Sequence, residues 1–195
     1  MSRRSLIVIA IVGAAVVAIG CCSKPRELLV HGSFESQSTF EKTPGDWYPT
    51  VLPHTKEYVD FEWDDKVAYS GNRSVSITIA LSHPDEKIAY NWTKAIDGCE
   101  EGKTYELSGW IKTEDLSGPA WICIQCWDEA KSKMLGFATT QGDYPITGTV
   151  DWTQVGTVFT VPAGTAEVRI RAGIATPDNR GGRVWFDGLS VRQLD

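Results

Sequence analysis

Residues 73–81 read "RSVSITIAL". Val75, Ile77, Ile79 and Leu81 fall on one side of a period-two repeat, and Ser74, Ser76 and Thr78 fall on the other. Side chains two residues apart share a face of a β-strand, so the stretch reads as a strand with one buried and one wetter face. The same alternation returns on both sides of it. "KTYELSGWIKT" (103–113) sets Tyr105, Leu107 and Ile111 against Glu106, Ser108, Trp110 and Lys112. "AWICIQCWD" (120–128) sets Ile122, Ile124 and Cys126 against Trp121, Cys123, Gln125 and Trp127. "AEVRIRAGI" (166–174) sets Val168, Ile170, Ala172 and Ile174 against Glu167, Arg169 and Arg171. Further strands are expected near 58–63, 87–96, 133–139, 153–161 and 183–192. Turn signals separate them, among them Ser70-Gly71-Asn72, Asp97-Gly98, Ser117-Gly118-Pro119 and Pro162-Ala163-Gly164. No segment keeps a helical period over three turns. Many short strands at regular spacing predict an all-β sandwich or barrel.

The chain has 195 residues, enough for one domain with a sizeable core. Its start reads differently from the rest. Arg3 and Arg4 precede an apolar run from Leu6 to Ile19, which is the layout of a secretory signal and short for a membrane span. Ala18-Ile19-Gly20-Cys21 resembles a bacterial lipobox, with Cys21 as the lipidated residue. An uncleaved N-terminal anchor and plain secretion are the alternatives, and both export the domain. The expected organisation is a signal peptide over 1–20, a lipid-anchored linker over 21–27, and one β domain over 28–195. Such a protein would sit in the bacterial cell envelope, touching the membrane through its N-terminal lipid. Removing the signal takes Arg3 and Arg4 with it and moves the formal charge from −6 to −8. An acidic domain without a basic stripe argues against nucleic acid as a partner.

Cys123 and Cys126 form a CxxC, but on a strand residues three apart face opposite ways, about 10 Å apart. That spacing is too wide for a disulfide. With no second CxxC or His pair to complete a zinc site, both are expected as buried small apolar residues, with a Cys99 bridge left open.

"GRVWFDGLSV" (182–191) poses the sharpest question. Asp187 stands inside a strand, and a buried carboxylate needs a partner. An arginine such as Arg73 or Arg183 is one candidate. A second comes from a resemblance. "LLVHGSFE" (28–35), "AYSGNRSVSI" (68–77), "GKTYELSGWIKT" (102–113), "DWTQVGTVFTVPAGTAEVRIRAGI" (151–174) and "GRVWFDGLSV" occur in that order. Together they resemble the CenC-like carbohydrate-binding modules, the jelly-roll β-sandwiches of two antiparallel sheets grouped around families 4, 9, 16 and 22. The resemblance implies that the chain start and chain end lie side by side over a structural Ca²⁺. It implies Glu35 and Asp187 as acidic ligands, with carbonyl oxygens from the turn around Ser70 to Asn72 and a further contribution from Ser33. Ca²⁺ takes six to eight oxygens of this mixed kind.

The resemblance also implies a glycan lying on a concave sheet. Aromatic rings bury the apolar face of a sugar, and polar groups bond its rim. Alternation puts Trp110, Trp121 and Trp127 opposite the aliphatic side of their strands, with Gln125 beside the last two. Arg169 and Arg171 are placed to bond hydroxyls or a uronate. Trp92 shares a face with Tyr90, and the sequence leaves that face unassigned. The expected function is therefore non-catalytic binding of a polysaccharide or oligosaccharide, with a glycoside hydrolase as an expected partner. The alternatives are an adhesion or assembly sandwich without sugar binding, and a glycoside hydrolase or lyase. Hydrolysis needs two carboxylates flanking the bond, and acidic residues here gather mostly at turns such as Glu100-Glu101 and Asp128-Glu129.

Overall fold

The computed structural model describes residues 26–38 and 43–194. The signal segment, Cys21 and most of the linker lie outside the described residues. Among the described residues nine strands run in chain order: β1 (Tyr48–Thr50), β2 (Val59–Asp64), β3 (Ser74–Ile79), β4 (Ala89–Ile96), β5 (Thr104–Trp127), β6 (Met134–Thr139), β7 (Ile146–Thr160), β8 (Glu167–Ala175) and β9 (Arg183–Gln193). A 3₁₀ turn over Pro53–Tyr58 joins β1 to β2. Every strand pairing is antiparallel. The strands form two layers, the jelly-roll sandwich expected from the alternation. Layer one runs β7–β5–β9–β3–β2, and layer two runs β6–β5–β8–β4–β1.

β5 belongs to both layers. Its first half pairs with β7 and β9, and its second half pairs with β6 and β8. The segment Ser117-Gly118-Pro119, expected as a turn between two strands, is instead the corner where one strand crosses from layer to layer. The ladder with β7 slips there, between Thr113, Leu116 and Ala120. Asp115 takes a left-handed φ of 53°, and the Gly118 N–H donates to Asn179 Oδ1 at 2.8 Å. Bulges of this kind bend a strand and increase its twist.

The expected inward faces meet between the layers. Val75, Ile77 and Ile79 of β3 face Tyr90 and Trp92 of β4 and Ile170, Ala172 and Ile174 of β8, all buried. Leu81 is the exception: β3 ends at Ile79, the chain turns, and Leu81 is 80% exposed. The serine side of β3 is also covered, because Arg183 and Trp185 of β9 and the 64–73 loop close over it.

The first and last described segments adjoin, in the arrangement that the resemblance implied. Leu28 N–H donates to the Val191 carbonyl, and Leu189 N–H donates to the Gly32 carbonyl, both at 2.9 Å. Glu27, placed in the linker on sequence, is already part of this seam. It bridges to Arg192, and its carboxylate accepts from the Leu29 and Val191 amides.

Candidate functional site

The partner of Asp187 is the backbone. Asp187 is fully buried. Its Oδ2 accepts from the Tyr69 and Ser70 amides at 2.8 and 3.0 Å, and its Oδ1 accepts from the Gly188 amide at 2.6 Å. Neither candidate arginine reaches it. Arg73 lies over the Trp63 ring at 4.1 Å, and Arg183 bonds Glu62, Asp64 and Ser76. Arg183 is four residues before Asp187 on β9, and its guanidinium is taken instead by Glu62 and Asp64 of β2. Asp64 is thereby the well-paired acid. Burial alone would raise its pKa, but the Lys66 amide, the Trp185 indole, the Val67 amide and the Arg183 charge together hold it below the usual range.

Glu35 works on the same turn from outside. Its Oε1 accepts from the Asn72 and Arg73 amides at 2.9 and 3.0 Å. Gly71, at φ 68°, lets the turn pass close, since a Cβ there would stand 2.4 Å from Glu35 Oε1. Two carboxylates thus hold the turn over residues 69–73 through four of its amides. Burial pushes the Asp187 pKa up; the Ser70, Gly188 and Tyr69 amides pull against it, and the charge of Glu35 adds to the rise.

The expected sugar-binding residues separate into three places. Trp92 is in the core at 2% exposure, on the inward face of β4. Its indole N–H donates to the Ser76 carbonyl at 3.1 Å, and its ring meets Phe61 edge-on at 5.5 Å, so it ties the layers together. Trp110 is on the outer face of layer one. Tyr69 stacks on it at 3.7 Å, and Trp152 meets Tyr69 edge-on. That stack lies over the Asp187 turn, on the opposite layer from the other candidates.

The remaining five share the outer face of layer two. Strand register aligns them in rows: Asn91–Gly173–Trp121, then Thr93–Arg171–Cys123–Thr139, then Ala95–Arg169–Gln125–Phe137. Trp121, Gln125 and Arg171 line a groove of about 350 Å³ there, together with Asn91, Phe137 and Lys87. Trp121 is only 8% exposed. Its ring crosses β8 above Gly173, where a Cβ would stand 3.0 Å from the indole and 2.3 Å from the Tyr90 carbonyl oxygen. Phe137, 54% exposed, presents the open aromatic surface instead. Phe137 was not among the expected residues. Its position opposite Gln125 comes from the β5–β6 register, which no local pattern encodes.

Trp127 and Arg169 end this face but do not line the groove. The Arg169 guanidinium stands 5.4 Å from the Trp127 ring and pairs with Glu167, which Lys131 also pairs with. The Trp127 indole N–H is taken by Gln125 Oε1 at 3.2 Å. Arg169 is therefore neutralised, and Trp127 is held by its neighbours. Cys123 faces the groove floor and Cys126 the core, on opposite sides of β5 as expected. Burial pushes the Cys123 thiol up to about 12, against the lowering effect of Arg171. The three described cysteines are free.

No protein-family model matches the chain. A stretch of the tRNA nuclease WapA of Bacillus subtilis (strain 168) is 23% identical over 173 residues, which is 88% of this chain. The chain spans 7% of the length of that curated relative. Among solved structures, the CBM22-1 xylan-binding domain of Paenibacillus barcinonensis Xyn10C superposes with a TM-score of 0.57 at 16% identity, over 88% of this chain and 96% of that one. TmCBM61, solved with β-1,4-galactotriose, superposes with a TM-score of 0.53 at 14% identity, over 86% of this chain and 99% of that one. The arabinofuranosidase MgGH51 superposes at 0.61 with 17% identity, and there the chain covers 26% of the enzyme. The two layers thus share the jelly-roll β-sandwich fold of these two modules, each of which is covered over nearly its whole length.

Proposed function

We propose that the protein is a non-catalytic glycan-binding module, and that its glycan lies in the groove on the outer face of layer two. The observation that supports this reading is the lining of that groove. An open phenyl ring, an indole edge, three amide side chains and an arginine converge in a space of about 350 Å³. Apolar surface with a few placed polar groups is the usual make-up of a small-ligand site. The groove's lining offers amides, hydroxyls and cations, which hold sugars; the two-carboxylate route to cleavage would call for Asp or Glu beside the bond.

A glycan-array screen with Ca²⁺ present, followed by calorimetric titration, tests the reading. Phe137→Ala is expected to weaken binding about tenfold or more, the scale of one lost phenyl burial. Trp110→Ala is expected to leave glycan affinity unchanged, because Trp110 sits on the other layer. A folded protein that binds nothing on the array would remove the proposal.

The same reading includes a structural Ca²⁺ held by Glu35, Asp187 and carbonyl oxygens of the 69–72 turn, Asn72 among them. Its support is the buried charge of Asp187, which has amide partners but no lysine or arginine among the described residues, and which Glu35 repels across the turn. No cluster of three or more His, Cys, Asp or Glu occurs among the described residues, so carbonyls would supply most of the ligands. Bound there, the ion would supply positive charge and fix the turn. EDTA is expected to lower the melting temperature and excess Ca²⁺ to restore it; an unchanged melting curve would strike the ion from the reading. Cys21 as lipid attachment, with an envelope location and a partner hydrolase, completes the proposal.

One observation favours a second reading, an assembly domain without sugar binding. The tryptophans are spread over the core and both layers, not gathered in one hollow. Among the described residues β7 pairs only with β5 and leaves a long edge, with Tyr144 and Val158 exposed near it. Such edges can pair with another chain. A blank array together with concentration-dependent self-association would select that reading.

A further inference from the structure

We infer that the sugar taken by this groove carries a carboxylate: a uronic acid unit bound through Arg171. The inference rests on the glycan-binding reading and adds the charge of the ligand. Arg169 and Arg171 stand two residues apart on the same face of β8. Arg169 is paired with Glu167. Arg171 has no ion pair among the described residues, and its Nε is buried without a hydrogen-bond partner. Arg183 also has a buried Nε without a partner, but its guanidinium is already neutralised by Glu62 and Asp64. Among the described residues, Arg171 alone carries a buried orphan donor on an unneutralised guanidinium.

Its surroundings keep it so. Along its row of the sheet stand Thr93, Cys123 and Thr139, and beside it lie Gly173 and Arg169. Lys87 adds a second cation to the groove, and none of the groove's lining residues is an acid. This happens in a chain with 25 acidic and 19 basic residues, where acids are the commoner choice. A buried charged donor left unmade costs stability, and a planar carboxylate answers the guanidinium fork through two parallel bonds. The sugar ring of a uronate would meet Phe137 while its carboxylate meets Arg171, since both side chains line the same groove.

The test uses oligosaccharides of galacturonate, glucuronate, mannuronate and guluronate, each beside its carboxyl-reduced neutral twin. At least one acid is expected to bind about tenfold or more tightly than its twin, the scale of a charge-assisted pair. The preference is expected to shrink with added salt. Arg171→Met is expected to bring the acid and its neutral twin to equal affinity, and Arg171→Lys to restore part of the preference. Melting curves of both variants show that the fold is intact. Equal binding of acid and twin by the unaltered protein, lost in Phe137→Ala, would overturn the inference and keep the glycan site. Binding of a sulfated oligosaccharide but no uronate would overturn the carboxylate assignment. Silence with every acid and every neutral glycan would overturn both readings.

Discussion

Asp187→Ala is expected to lower the unfolding free energy by about 3–5 kcal/mol, read as a large drop in urea midpoint at unchanged slope. Three amide N–H groups, those of Tyr69, Ser70 and Gly188, lose their acceptor at once. The site is fully buried, so water replaces the carboxylate poorly. Asp187→Asn keeps one carbonyl oxygen and is expected to retain a larger part of the stability. The loss should also reach the aromatic stack. Tyr69 is held by its amide against Asp187 and by its ring against Trp110, so the near-ultraviolet circular dichroism of that pair is expected to fade in Asp187→Ala. Arg73→Met and Arg183→Met are expected to leave that signal in place, because neither arginine touches Asp187. A cost below about 1 kcal/mol for Asp187→Ala would mean that the turn is held by something else.

Gly32→Ala is expected to be the most damaging small substitution at the seam. A Cβ at Gly32 would stand 1.9 Å from the Leu189 carbonyl oxygen and 2.8 Å from its carbon. Both are backbone atoms, and the Leu189 amide donates to the Gly32 carbonyl in the same contact. No rotamer change relieves such a clash, so the chain start must move off β9. The expected cost is about 3 kcal/mol or more, at or beyond the upper end for overpacked sites. Low soluble yield or a strongly lowered midpoint would be the readout. Gly142→Ala is the control: a Cβ there meets nothing within 4 Å, and its effect is expected within about 0.5 kcal/mol. A mild Gly32→Ala would show that the two chain ends do not need their close approach.

These two sites differ in how visible they are along the chain. The strand pattern that led to the sandwich is local, because each residue's face follows from its neighbours two positions away. Tyr105, Leu107 and Ile111 are buried, and Trp110 across from them is on the outside, as their spacing predicts. The same logic put Trp121 and Gln125 on one strand, and Arg171 on another, opposite the apolar side of their own strands, and the β5–β8 pairing then brought them onto one face. It could not treat Trp92 in this way, because a strand with tyrosine and tryptophan on one face and asparagine on the other has no plainly polar side. The indole went inward, where its N–H found the Ser76 carbonyl.

Sequence alone thus determined the all-β class, most of the strands and which side of each strand is apolar, because those depend on period and on turn residues. The tertiary structure alone decided that β5 is one strand turning a corner, that Asp187 answers to amides and not to an arginine, that Trp110 and Trp121 lie on the outer faces of different layers, and that Arg169 is neutralised while Arg171 is not. Each of these depends on which distant segment packs alongside. Contacts between residues far apart in the chain are set by register and layer order, and a pattern of period two carries no information about either.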